Sequence, residues 1–243
     1  MKKAVLLFSL ILGLSAIGLR AQTAEDIIAK NIAATGGIEK IKALNSMKIS
    51  GHAMAMGMEV PVNIFAKRPL MTRSEITFMG KTQLEAYDGT TVWQLNPFAP
   101  SGVIEPVELT GDRAKSIIDR ADYDGDFVDY QSKGYVIEFI GKDEMEGSSV
   151  FKLKVTKKSG DVNVYFIDAD NYLPIKVVSK VKVEGNVEED EVIYGNYKPV
   201  AGVQMAHSME IRSGGVTKFQ ITIDKIEPNI PIDNSIFVMP KKK

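Results

Sequence analysis

The chain has 243 residues, with 30 basic against 31 acidic side chains, 44% hydrophobic and 25% charged, and it contains no cysteine. This is the composition of one large or two small globular domains, and it excludes disordered, collagen-like and polytopic membrane classes. The missing cysteine excludes a disulfide scaffold, a thiolate zinc site, a thiol nucleophile and a Cys-linked lipid anchor on the chain itself.

Lys2 and Lys3 precede an uncharged, mostly apolar run from Ala4 to Leu19, followed by Arg20, Ala21 and Gln22. A basic start, a short apolar stretch and a small residue at the cut describe a signal peptide over residues 1–21. The run of sixteen residues falls short of the ~20 that span a bilayer as a helix. Cleavage lowers the basic count from 30 to 27 against 31 acids, which argues against nucleic acid and against electrostatic docking on anionic lipid. The Lys241–Lys243 tail reads as a solvated end.

Residues 22–243 read as a single domain. Residues 23–45 are helical in pattern: Thr23 caps, Glu25 and Asp26 suit the positive end of the dipole, and Gly36-Gly37 stops the helix. A short second helix is expected from Ile38 to Ala43. From Met47 the period changes to two. Phe151, Leu153 and Val155 alternate with polar residues, as do Val162, Val164 and Phe166, then Val177, Val181 and Val183, then Phe219, Ile221 and Ile223. That is the signature of strands with one apolar and one wet face. Turn signals at Gly57, Arg68-Pro69, Gly80, Asp88-Gly89, Ser159-Gly160, Gly185-Asn186 and Gly214-Gly215 divide roughly eleven strands into one antiparallel meander. A helix from Asp112 to Ala121 interrupts them, and the proline-rich Asn96–Thr110 segment before it reads as loop or edge.

A twisted sheet this wide curls, and its apolar face must be covered. Three short helices can roof that face without filling the space beneath, and a partly filled apolar concavity suits a small apolar ligand. A sandwich or a fully packed barrel produces the same alternation. Met54, Met56 and Met58, spaced by two, are expected on one face, where flexible thioethers either re-pack around a guest or fill the core. The candidate lining comprises these three with Val62, Ile64, Trp93, Leu95, Ile117, Ile118, Met205 and Met209.

Catalytic groups are sparse. His52 and His207 fall on predicted strands, and His207 alternates with Met205 and Met209. Asp122, Asp124, Asp126 and Asp129 lack the glycine and glutamate of a calcium loop, with Lys133 at the twelfth position, so they read as a solvated loop. No nucleophile elbow, zinc-protease helix or phosphate loop is present. Binding without a cofactor, a metal or catalysis is the expectation.

Lys67-Arg68-Pro69, then Tyr87-Asp88-Gly89, then Trp93 to Phe98 (WQLNPF) resemble the LolA family of periplasmic lipoprotein carriers in order and spacing. Ala34 to Lys40, Phe166-Ile167-Asp168 with Tyr172-Leu173-Pro174, and Ile226 to Phe237 are similar to a larger branch of outer-membrane lipoprotein-sorting proteins. The resemblance implies an open, half-closed antiparallel β-barrel roofed by short helices, with a cavity for acyl chains. It implies a periplasmic carrier of lipoprotein acyl chains or lipid, served by an inner-membrane ABC transporter and an outer-membrane acceptor, with only transient membrane contact. Arg73 is the nearest candidate for the family's pocket arginine, and pairing with Glu75 is its alternative role. A sensor or regulator of an envelope partner is the rival function, and an enzyme on this scaffold is a third. Hinges at Thr35–Ile38 or in the 96–110 loop would let the roof release cargo, and Trp93, the only tryptophan, would report on the cavity.

Overall fold

The structure is a computed structural model that describes residues 22–55, 57–183 and 186–241. The expected signal peptide, Met56, Gly185 of one turn and Lys242–Lys243 of the tail lie outside the described residues. Two helices open the fold, α1 (Ala24–Thr35) and α2 (Ile38–Lys42). The Thr23 hydroxyl caps α1 by accepting the Asp26 N–H at 3.2 Å. Gly36 ends it at φ +131°, where a side chain would also collide with the Gly202 carbonyl oxygen. The bare Cα therefore lets the end of the helix dock on a neighbouring turn.

A first run of strands follows: β1 (Ser46–Ala55), β2 (Met58–Lys67), β3 (Met71–Phe78), β4 (Lys81–Tyr87), β5 (Val92–Leu95) and β6 (Val107–Glu108). The third helix, α3 (Gly111–Ala121), leads to a second run: β7 (Val136–Met145), β8 (Ser148–Thr156), β9 (Val162–Asp168), β10 (Pro174–Val183) and β11 (Asn186–Gly195). A separate ribbon pairs β12 (Lys198–Val200) with β13 (Val203–Met205), before β14 (Ser208–Ser213) and β15 (Val216–Pro228) close the order. Among the described residues no helix is long and apolar enough to cross a membrane.

The expected single meander of about eleven strands is corrected to one antiparallel sheet of 13, in the order β6-β5-β4-β3-β2-β1-β15-β14-β11-β10-β9-β8-β7. Two runs meet where the first strand pairs with the last, and the sheet stays open as a half-barrel with β6 and β7 at its edges. Strands as short as β6, β12 and β13 hold too few residues to show an alternation. At the β1–β15 seam a bulge falls between Ser50 and Gly51. A Cβ on Gly51 would overlap the Thr222 carbonyl oxygen, so the seam closes only over glycine.

The helices all cover one face, here termed inner. Ala24, Ile27 and Ile28 of α1 pack with Phe127 on Phe151, Leu153, Val155 and Ile167 of β8 and β9. Ala114, Ile117 and Ala121 of α3 pack on Tyr87 and Val92 at the other end. The outer face is held at β3–β5 by the chain after β15. There the Trp93 Nε1–H donates to the Phe237 carbonyl at 2.7 Å, and Arg73 donates to the Ile236 carbonyl at 2.7 Å. Trp93 and Phe237 are sealed by this strap.

Arg68 joins the roof to the sheet. Its guanidinium donates two parallel bonds to Asp124, at 2.6 and 2.5 Å, and further bonds to the Leu44 carbonyl at 2.8 Å and the Ile41 carbonyl at 3.2 Å. It lies over the Tyr123 ring at 5.1 Å, and the Tyr123 hydroxyl donates to the same Leu44 carbonyl. One planar cation thus holds the end of β2, the end of α2 and the segment after α3, which a lysine cannot reproduce. Arg68→Ala leaves the half-buried Asp124 carboxylate without its cation and is expected to cost about 2–4 kcal/mol. A lowered urea midpoint with unchanged slope would show this, and a midpoint equal to that of the parent chain would contradict the role.

Candidate functional site

Strand register decides which side chains share the inner face. Tyr194 of β11 stands opposite Met209 of β14, Met209 opposite Ile221 of β15, Ile221 opposite Ala53 of β1, and Ala53 opposite Val60 of β2. Four inter-strand steps of ~4.8 Å make this row about 19 Å long. Beside it, Val62, Ile64, Ile76 and Phe78 gather with Ala53, Val60 and Ile221. Ile64, Ile76, Phe78, Met209, Ile211 and Ile221 stay half-buried. Helices α1 and α3 pack towards the two ends of the sheet and α2 over Met47 and Ile226, which leaves an apolar trough along the remaining part of the middle strands.

The candidate lining divides between the two faces. Val62, Ile64 and Met209 belong to the trough, and the register puts Met58 on the same face near its end. Met54 pairs with Glu59 and Gln220 on the outer face. The hairpin turn after Ala55 thus interrupts the methionine series, and a shared face for Met54 and Met58 is corrected. Arg73, Trp93 and Leu95 also lie outside the trough. Ala86 pairs with both Arg73 and Trp93, and Leu84 with Leu95, on the face under the C-terminal strap. Arg73 is paired with Glu75 at 2.6 Å, the alternative anticipated for it, and Trp93 cannot report directly on the trough. Ile117 is sealed beneath α3, Ile118 is exposed, and Met205 packs with Ile41, Leu44 and Val203.

Both histidines are engaged. His207 is buried, its ring Nδ1 is 2.9 Å from the Met205 carbonyl, and it lies between strands rather than continuing one with Met205 and Met209. His52 faces Asp224 at 3.2 Å on the outer face. The acidic run is not the solvated loop expected of it. Asp122 pairs with Lys133, Asp124 with Arg68, Asp129 with Lys42, and Asp126 is buried.

Asp126 marks the polar end of the inner face. It accepts from the Asn163 amide at 2.6 Å and the Tyr165 hydroxyl at 2.8 Å, and Lys157 lies 3.6 Å away while also pairing with Asp119. Burial opposes the Lys157 charge, but the carboxylates of Asp126 and Asp119 outweigh it and hold the ammonium above its ordinary range. Burial, with the Asp126 charge behind it, raises the Tyr165 phenol well above its usual value. The same two causes push Tyr194 up to about 12.

This cluster reverses the expected facing of β9. Asn163 and Tyr165 point inward, while Val164 and Phe166 pair with Lys154 and Lys152 on the outer face. Phe166 is covered there by the Lys176 ammonium, 4.3 Å from its ring centre. The alternation was correct in period and wrong in side, because lysine stems and cation–π contact shelter an aromatic ring as a core would. Sequence reasoning missed Tyr194, Ala53, Val60, Ile76 and Phe78. Of these, Ile76 and Phe78 carried a visible signal, a two-residue spacing before the Gly80 turn.

No protein-family model matches the chain, and no curated protein matches it. Solved structures do. A LolA superfamily protein from Nitrosomonas europaea aligns over 90% of this chain and 98% of its own at 16% identity and TM-score 0.59. A DUF1329 family protein from Desulfovibrio piger aligns over 90% and 98% at 11% identity and TM-score 0.60. A domain from Vibrio parahaemolyticus named for outer-membrane lipoprotein sorting aligns over 87% and 94% at 12% identity and TM-score 0.53. The chain therefore has the LolA-like fold, an open half-barrel with covering helices.

The Tyr194 environment makes a pH prediction. In the folded chain this phenol keeps its proton to about 12, whereas an unfolded tyrosine ionises near ~10. Between those values the folded state binds more protons, so stability falls as pH rises through that window. Tyr194→Phe should remove part of the alkaline slope, measured as urea midpoints across the window. An unchanged slope, with tyrosinate absorbance developing near pH ~10 for every phenol, would contradict the half-buried placement of this phenol beside Asp126.

Proposed function

We propose that this chain is an exported periplasmic carrier whose inner-face trough holds acyl chains of lipoproteins or lipids for transfer toward the outer membrane. One observation carries the reading. The apolar side chains of Ile64, Ile76, Phe78, Met209, Ile211 and Ile221 remain only half-buried on the inner face, between the ends that α1 and α3 cover. Exposed contiguous apolar surface marks a site that another apolar body covers, and a groove bounded by helices suits a chain better than a flat partner. The basic and apolar start of the sequence supports export. The LolA-like fold, and the lipoprotein-sorting name of one structural neighbour, support the choice of cargo.

The energetics allow both capture and release. Each buried methylene contributes ~0.8 kcal/mol, so a chain covered over about a dozen carbons gains roughly 10 kcal/mol before the losses of ordering and association. Those losses bring net affinity into a range where cargo can leave. Met209 and Met58 add side chains that re-pack around varied guests. The transporter that loads the carrier and the acceptor that unloads it are further parts of the proposal.

Protein purified from its own envelope should carry extractable acyl lipid detectable by mass spectrometry. The cleaved chain should also bind a fluorescent long-chain acyl probe, and Ile221→Asp, which places a charge in the middle of the trough, should weaken that binding at least about tenfold. Circular dichroism would confirm that the variant is folded. An absence of co-purified lipid together with no probe binding by the parent chain would sink the carrier reading.

A further inference from the structure

The inner face is apolar along most of the row, but its β11 end is not, and the polar groups there are unequally committed. Asn163 and Tyr165 both donate to Asp126, and Lys157 is shared between Asp126 and Asp119. Tyr194 differs. Its ring lies in the same cross-strand row as Met209 and Ile221, it is half-buried, and no described residue is a hydrogen-bond partner for its hydroxyl. The only buried unpartnered side-chain oxygen or nitrogen among the described residues is Oε1 of Gln94. The Tyr194 hydroxyl therefore opens into the trough.

The charge around this hydroxyl is of one sign. Asp126 acts on both phenols, and the register places no lysine or arginine on the inner face of β1, β2, β11, β14 or β15 among the described residues. The one cation nearby, Lys157, already faces two carboxylates. A carboxylate or phosphate entering here would lose its hydration, gain no cation and lie near Asp126. A neutral carbonyl would lose little and accept a hydrogen bond from a phenol that stays protonated at neutral pH.

We infer that Tyr194 receives the neutral carbonyl of an esterified or amide-linked acyl chain, and that the trough discriminates against lipids whose polar end is an anion. The hydrocarbon then runs from Tyr194 past Met209 and Ile221 toward Ile76 and Phe78. This rests on the carrier reading and adds the chemical class of the cargo to it. It also accounts for the reversed facing of β9: the polar side chains turned inward position Asp126, which sets the sign of the field. A local pattern broken in this way is expected at functional sites.

The test uses the cleaved full chain and displacement of a fluorescent alkyl probe at neutral pH by two ligands of equal chain length, monopalmitoylglycerol and palmitate. The glycerol ester should displace the probe at least about tenfold more strongly than palmitate. In Tyr194→Phe, which keeps the ring and removes only the hydroxyl, the ester should weaken by about three- to tenfold and the ratio between the ligands should shrink accordingly. Equal displacement by both ligands, a preference for palmitate, or an unchanged ratio in the Phe variant would each overturn the inference while leaving the carrier reading intact. Failure of the parent chain to bind the probe or either lipid would overturn both. Retention of the alkyl probe by the Phe variant shows that it remains folded and that only the polar end has changed.

Discussion

The fork of Arg68 on Asp124 is the contact on which the arrangement of roof and sheet depends. A half-barrel has no closing hydrogen-bond ladder, so something other than strand pairing must fix the helices over its inner face. The Arg68 side chain does this from the end of β2 by engaging the carbonyls that end α2 and the carboxylate that follows α3. The geometry requires a planar donor array, which explains why arginine rather than lysine stands between Lys67 and Pro69.

With the roof anchored, the sheet divides into regions of different character. Its β7–β9 end is filled by α1 and the segment around Phe127, and its β4–β5 end by α3. Between them α2 covers only the Met47 and Ile226 ends of β1 and β15, and the rest of the middle strands keeps an inner surface only partly covered. The outer face is treated differently again, because the strap after β15 buries Trp93 beneath Phe237 and occupies Arg73. The largest aromatic side chain thus stabilises the wall from behind, and apart from Phe78 and Tyr194 the trough is lined by aliphatic and thioether groups. Such groups favour a guest of variable shape over a rigid one.

The polar end gives the trough a direction. An apolar groove without such a feature would bind a chain equally well in either orientation. Tyr194 at one end and the purely aliphatic Val60 at the other break that symmetry, and the Asp126 network supplies the field. Its members come from α3 and the segment after it, from the turn after β8 and from β9, so the network exists only once the second run of strands has packed against the segment that follows α3.

Much of the architecture was legible in the amino-acid order, because it rests on short-range physics. Thr23 and Gly36 bound the first helix, the two-residue period identified strands with one apolar face, and short motifs around Arg68, Gly89 and Trp93 indicated the fold. Which face a residue occupies was not legible where local and tertiary effects disagree. Phe166 reads as core but finds shelter under lysines, Met54 and Met58 read as partners but are turned apart by the hairpin between them, and Trp93 reads as lining but is claimed by the C-terminal strap. The joining of the first strand to the last and the clustering of Asp126 with Tyr165 and Tyr194 were likewise settled only in three dimensions. Alternation states that a strand has two unlike faces, but only packing against distant segments determines which face looks inward and which polar groups meet there.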